Sequence, residues 1–333
     1  MGSISIKDSV NENNITYDSF ASHYETALKY LQSKNMELTL EQKIQTIDNM
    51  DYDNIKIDFS GGDALIVNEN YDVLKYASKK FGKENITLTL TGLALKRVEP
   101  KDLANYVGEL NFTYDSSEND EEVRSIGYNS ANLIQVTRFS NAGINIRAEM
   151  PLSHRHKDLN FVKSVYLDLH SKGVAKLLLM RLFPSGRAII NNNDVLSKEN
   201  YIKIIDTLKN MENQYSYPKI KLQCALKHLY PLDKEADNPC DAVVSSFGLR
   251  WDGEFLGSPW AMKNSGNTLS SSWGLGNLYK EKLSNILRSQ KVATFIEKEK
   301  QNFGHCKIFS YLHSKETLDT NKIFDNSDPL YKY

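Results

Sequence analysis

Cysteine is scarce in this 333-residue chain: there are three, Cys224, Cys240 and Cys306, and none before position 224. An odd handful without CxxC spacing excludes a disulfide-dense secreted scaffold and favours a reducing compartment. Long apolar runs are missing too. No stretch approaches the roughly 20 residues that cross a bilayer. The start, Met1-Gly2-Ser3-Ile4-Ser5-Ile6-Lys7, lacks the apolar centre of a secretory signal. It meets a myristoylation pattern only in part, because Ile6 stands where Ser or Thr is required. A cytoplasmic protein with no membrane partner is expected. An excess of one charge is also absent: 41 Lys and Arg face 42 Asp and Glu, a formal net charge of -1. No global positive field therefore recommends nucleic acid, and no aromatic and basic recognition motif supplies a local one. The runs Asn119-Asp120-Glu121-Glu122 and Arg155-His156-Lys157 are short and read as solvated turns or helix ends.

What the chain does have is a repeated change of hydrophobic period, the mark of βα units. Strands are expected at 4–6, 54–60, 86–91, 110–114, 144–150 and 176–182, each followed by a helical pattern. The helices are placed from about 24, 39–50, 71–81, from about 101, 121–142, 160–172 and 197–211, and Leu38-Thr39-Leu40-Glu41-Gln42 carries a threonine cap signal. Six parallel strands suggest an open or partial barrel rather than the eightfold one. After Asn213 the texture changes to short strands, at 219–223, 242–247 and 254–256, among glycine-rich turns, with helices near 279–288 and 291–300. The expected boundary lies around 212–218.

Ile57-Asp58-Phe59-Ser60-Gly61-Gly62-Asp63-Ala64-Leu65 resembles the strand-to-loop segment of radical S-adenosylmethionine (SAM) enzymes, in which Gly-Gly-Glu follows a hydrophobic strand. Glycines without a Cβ let a ligand approach the backbone, and in that family the segment binds the amino end of SAM. Asp63 replaces the common Glu. Pro184-Ser185-Gly186-Arg187 is similar to the Pro-x-Gly-Arg strand end of members with a SPASM or twitch auxiliary domain. Cys240, twelve intervening residues, Gly253, four more and Ser258 repeat that domain's spacing, with serine at the last thiol position. Trp251-Asp252-Gly253-Glu254, Pro259-Trp260 and Gly276-Asn277-Leu278 extend the likeness. The resemblance implies an α/β fold: a degenerate partial (βα)6 TIM-like barrel over 1–212, and a smaller α+β SPASM/twitch-like domain with a tail over 213–333.

The family's CxxxCxxC loop is missing. Aligned by spacing, Thr16, Phe20 and His23 take its three positions, with Tyr24 as the aromatic neighbour. Three thiolates normally hold a [4Fe-4S] cluster and leave its fourth iron for SAM, so radical cleavage of SAM is not expected. Cys240, Cys306 and Cys224 would be the remaining ligands of an auxiliary [4Fe-4S] cluster; with Ser258 in the pattern they read instead as small core residues. No cofactor is expected, unless SAM binding survives in the ancestral pocket.

Ligand contacts are expected from Gly61, Gly62, Asp63, Thr91, Arg147, Arg181 and Arg187 near strand ends, the arginines clamping carboxylates or backbone groups. Asp58 and Glu149 lie in strands and read as buried groups paired with lysine or arginine rather than as an acid-base pair. His154 and His156 read as surface residues. The tail ends in Leu330-Tyr331-Lys332-Tyr333, which either docks or frays. The function expected is a noncatalytic peptide- or protein-binding scaffold, or an accessory subunit of an active modifying enzyme. The alternatives are an enzyme using the old pocket by polar chemistry and a residual auxiliary iron-sulfur protein.

Overall fold

The computed structural model describes residues 17–61, 64–90, 98–116, 128–183, 196–227, 229, 240–263, 266–301, 306–313 and 330. Six parallel strands form one sheet in chain order: β1 (Ile57–Phe59), β2 (Ile86–Leu90), β3 (Glu109–Thr113), β4 (Asn145–Leu152), β5 (Lys176–Arg181) and β6 (Lys219–Leu222). Between them run α3 (Asn68–Phe81), α4 (Pro100–Leu103), α5 (Tyr128–Asn141), α6 (Leu159–Ser171) and α7 (Lys198–Tyr215), preceded by α1 (Tyr17–Ser33) and α2 (Leu40–Asp48). The order of strand and crossover helix is that of a partial barrel.

The strands alternate along most of their length, β2 and β4 throughout. Ile86, Leu88, Leu90, Leu110, Phe112, Ile146, Ala148, Met150, Leu177, Leu179, Ile220 and Leu222 are buried toward the helices. The residues between them are polar along most of the sheet, including Asp58, Thr87, Thr89, Glu109, Asn111, Arg147, Glu149 and Lys176. A parallel sheet covered on both faces is ordinarily apolar on both. Here one face packs and the other lines a polar lumen.

Local signals set the helix starts. Thr39 and Gln42 form a reciprocal capping box at α2, the Thr39 N–H donating to Gln42 Oε1 at 2.9 Å. Asp158 accepts from the Asn160 N–H at 2.9 Å to open α6, and Ser197 caps α7. Ser216, left-handed at φ 71°, closes α7.

Two elements depart from expectation. The segment expected as a short strand at 219–223 joins the parallel sheet as β6, pairing Leu177 with Ile220 and Leu179 with Leu222. It supplies a sixth strand, while the opening strand at 4–6 lies outside the described residues. At 242–247 there is a turn instead of a strand: the Asp241 carbonyl accepts from the N–H groups of Val244, Ser245 and Ser246 at 3.3, 3.0 and 2.8 Å. Strand pairing resumes at β7 (Gly248–Leu249), which runs antiparallel to β8 (Glu254–Leu256), itself paired with β9 (Gly274–Asn277). The helices α8 (Cys224–Lys227), α9 (Leu283–Leu287), α10 (Gln290–Gln301) and α11 (Lys307–His313) complete the chain's C-terminal part.

This part is stitched to the barrel by main-chain bonds. The Leu38 N–H donates to the Trp251 carbonyl at 3.0 Å, and the Leu283 N–H to the Asn49 carbonyl at 2.9 Å. Asp51 accepts from the Ser284 N–H and hydroxyl at 2.9 and 2.6 Å. No described helix is long and apolar enough to cross a membrane.

Candidate ligand-binding lumen

On the polar face, Thr89, Asn111, Arg147 and Lys176 are successive cross-strand partners from β2 to β5, so strand register alone sets them side by side. Asn111 Nδ2 donates to Thr89 Oγ1 at 2.9 Å, and that hydroxyl donates to the Asp58 carboxylate at 2.8 Å. The single hydroxyl proton of Thr89 is spent on Asp58, which fixes the orientation of the Asn111 amide. Its Oδ1 is left buried without a hydrogen-bond donor, in a residue with no exposed surface.

Arg147 is the hub of the other charges. Its guanidinium reaches Glu109 at 3.1 Å and Glu149 at 3.0 Å, and Lys176 also pairs with Glu109. Asp58 makes no ion pair among the described residues, and Arg147 acts on it only from a distance. It is open to solvent but recessed among the strands. Lost hydration, opposed by the Thr89 hydrogen bond and the charge of Arg147 and reinforced by the charges of Glu149 and Glu109, pushes its carboxyl up to about 6. Water still reaches it, which caps the effect. Burial also raises Glu149, against the pull of Arg147.

The residues expected to bind a ligand separate into three groups. Gly62, Asp63, Thr91 and Arg187 lie outside the described residues. Gly61 ends the β1 segment at φ 99°, with no described atom within 4 Å of where a Cβ would stand, so its conformation favours glycine and its backbone is open among the described residues. Arg147 lies within β4 and is engaged by two glutamates. Arg181, the last residue of β5, is 1% exposed. Its guanidinium lies 3.6 Å from the centre of the Phe309 ring. That ring stacks on Phe183 at 4.4 Å, and Phe183 on Trp260 at 4.3 Å and 7°. Arg181 is thus part of the joint between the barrel and α11.

The donors do not fit the cluster that the family pattern implies. Thr16 lies outside the described residues, Phe20 falls within α1, and His23 is exposed on the same helix, edge-on to Tyr24. The segment aligned with the thiolate loop is therefore helical from Tyr17, and histidine is its one conventional iron donor. The auxiliary position fits no better. Ser258 is buried, its Oγ accepting from the Trp260 N–H at 3.3 Å. Burial pushes the Cys224 thiol up to about 12, with Cys306 adding to it, and holds Cys240 far above its ordinary range beside Glu299.

His156 corrects a surface reading. It is 1% exposed, its Nδ1 accepts from the Ser153 N–H at 2.9 Å, and burial lowers its imidazole to about 4. His154, two residues away, is exposed. Thr89, Asn111, Glu109 and Lys176 were not singled out from sequence. Their signal was present as alternate polar positions in strands that should have been apolar on both faces.

No family model matches the chain, and no curated protein matches it in sequence. Solved structures do. Native anSMEcpe with bound AdoMet superimposes with a TM-score of 0.60 at 15% identity, over 85% of this chain and 84% of the other. The fold is that of the radical SAM enzymes. The same protein with AdoMet and Cp18Cys peptide gives a TM-score of 0.61 at 15% identity, again over 85% and 84%. Streptococcus suis SuiB bound to precursor peptide SuiA gives 0.58 at 10% identity, over 83% of this chain and 65% of that one. At these identities it is the radical SAM fold that is shared, and the site must be argued from its own residues.

Proposed function

We propose that this protein is a noncatalytic radical SAM-fold binder of a peptide or protein, serving in the cytoplasm as a scaffold or as an accessory subunit of an active modifying enzyme. The observation that carries this reading is a fold shared with peptide-bound proteins, combined with a chain that has no cysteine in the barrel where cluster thiolates are needed. Free cysteines, two of them buried, suit a reducing compartment. A SAM molecule would find the open backbone at Gly61, with no cluster iron to anchor it. The test is anaerobic purification with iron quantification, followed by binding measurements against the peptides and proteins encoded beside its gene. Stoichiometric iron with reductive SAM cleavage would sink the noncatalytic part. Failure to bind any of those partners would sink the rest.

A second reading is an enzyme working by polar chemistry in the lumen. Asp58 and Glu149 favour it, since both carboxyls are held above their ordinary range and each stands on the open face of the barrel. Turnover of SAM or a peptide in air, lost in Asp58→Asn, would support it. Unchanged turnover in that variant would remove the lumen from consideration.

A further inference from the structure

The two outer edges of the parallel sheet differ. At β6 the Ile220 N–H donates to Glu212 Oε2 at 3.1 Å, and the Ile220 carbonyl accepts from Lys209 Nζ at 3.3 Å, so side chains of α7 close that edge. At β1 no described residue beyond its partner β2 bonds the main chain of Ile57, Asp58 or Phe59. In a parallel ladder alternate residues turn their N–H and C=O away from the neighbouring strand, so this edge keeps unpaired groups. The apolar cover stops there as well. Ile86 and Leu88 of β2 are fully buried, whereas Ile57 and Phe59, their partners in register on the same face, are half-buried. An open edge with apolar side chains only partly covered is a place for one more strand.

The chain carries a segment that fits. Ser3-Ile4-Ser5-Ile6-Lys7, ahead of α1, has the period of two of a strand with one apolar face. The helices that follow place its end. Tyr24 and Leu28 of α1 pack on Ile66 and Val67, just past β1, and Glu25 accepts from the Asn68 N–H at 2.8 Å, which sets this part of α1 at the mouth, where β1 finishes. The helix α2 then runs beside α3 in the same direction. Lys43 pairs with Glu69 at 2.8 Å, and Lys80 Nζ donates to the Ile47 carbonyl at 2.8 Å, which brings the chain down to the foot of β1. A strand that rises beside β1 and leads into α1 makes this connection a βαβ crossover. Nine residues, 8–16, join the two, about 30 Å when extended, against about 12 Å from Tyr17 to Glu25 along the helix.

We propose that residues 3–7 pair in parallel with the free edge of β1 in the same chain, Ile4 and Ile6 joining Ile57 and Phe59 on the helix side. A slip by one residue would turn both isoleucines into the polar lumen, so the pattern fixes the phase. Ser5 then stands on the lumen side next to Asp58. The barrel is closed along this edge, and a guest enters by the mouth rather than beside β1. Nothing in this pairing depends on peptide binding.

Hydrogen–deuterium exchange of the full chain, read by mass spectrometry on fragments covering 3–7 and 55–60, tests this against a free peptide of residues 1–12. Amides of 3–7 are expected to exchange more than about tenfold slower in the chain than in the peptide. Ile4→Ser/Ile6→Ser should abolish that protection and speed exchange at 55–60, while Val10→Ser, in the connection, leaves both fragments unchanged. Thermal melts show that the variants fold. Exchange of 3–7 at the free-peptide rate overturns the inference. So does a double variant in which 55–60 is unaffected, since the segment then docks elsewhere. Protection that vanishes on dilution, with a dimer in sedimentation, refutes the pairing within one chain and assigns the edge to a second copy. A cross-link gives a check that keeps both isoleucines. Treated with oxidised glutathione, Ser5→Cys/Asp58→Cys should close an intramolecular disulfide, because side chains paired on one face of adjacent strands lie within its reach. Val10→Cys/Asp58→Cys should not, and equal closure in the two would overturn the register.

Discussion

The lumen face of the barrel and the joint at the end of β5 both bring polar groups inside the protein, and they deal with them differently. In the lumen, charge meets charge through Arg147, Glu109, Glu149 and Lys176, with water still at hand and Asp58 held by Thr89 rather than by an ion pair among the described residues. At the joint, Arg181 is covered by the ring of Phe309, and Phe183 and Trp260 extend the stack. Nearby thiols stay protonated because burial disfavours thiolate. The lumen resembles a surface turned inward, able to take a guest. The joint is core, and its residues hold the C-terminal helices on the barrel.

Removing the aromatic cover should break this contrast most severely. Phe309→Ala strips the ring between Arg181 and Phe183, at a position 2% exposed. Large-to-small changes of this kind cost about 3–5 kcal/mol, read as a shift in urea midpoint. A cost under about 1 kcal/mol would mean that the joint is not core. The thiols offer a gentler probe of the same region. Cys224, with its thiol near 12, should react with a disulfide reagent in the native state more than about tenfold slower than an open cysteine peptide. Denaturation should restore ordinary rates, and fast native labelling of Cys224 would contradict the buried-thiol account.

Glu109→Gln asks the corresponding question of the lumen. It leaves Arg147 with Glu149 alone and removes the partner of Lys176. Because the network is half-buried, the expected loss lies between that of surface and buried pairs, about 1–3 kcal/mol. The loss should be smaller than for Phe309→Ala, since water can solvate what is released. The reverse order would make the lumen the more tightly packed region.

The sequence made the frame of this contrast readable, but not its partners. Strands β2 to β5 follow from segments of five to eight residues, alternating or apolar, ended by turn residues, and Thr39 marks α2 by a local cap. The four residues of β6 carry no sign of which sheet they join; only the crossover through α7 brings Ile220 beside Leu177. The Gly-Leu-Gly-Asn of β9 has too few side chains to announce a strand. In the lumen, polar alternation was visible, whereas the Asn111–Thr89–Asp58 relay depends on register between strands up to 53 positions apart. Arg181 looked like a ligand clamp because an arginine at a strand end usually faces the mouth. Its partner Phe309, far along the chain, could be found only in three dimensions.

The finest test concerns the Asp58 carboxylate. In the folded protein Asp58 titrates at about 6, above its ordinary 3.8. Between those values the folded chain binds more protons here than the unfolded chain does, so this group's contribution to stability falls as pH rises through the window. The direction is opposite to that of a salt-bridged aspartate, whose contribution grows with pH. Asp58→Asn removes the titration and retains the Thr89 hydrogen bond. The variant should therefore match the parent near pH 4 and exceed it near pH 7 in urea midpoint, by a small margin because water reaches the group. If the variant were instead weaker at neutral pH, the attraction of Arg147 for Asp58 would outweigh the lost hydration in the folded chain. The lumen would then be as fully compensated as the joint.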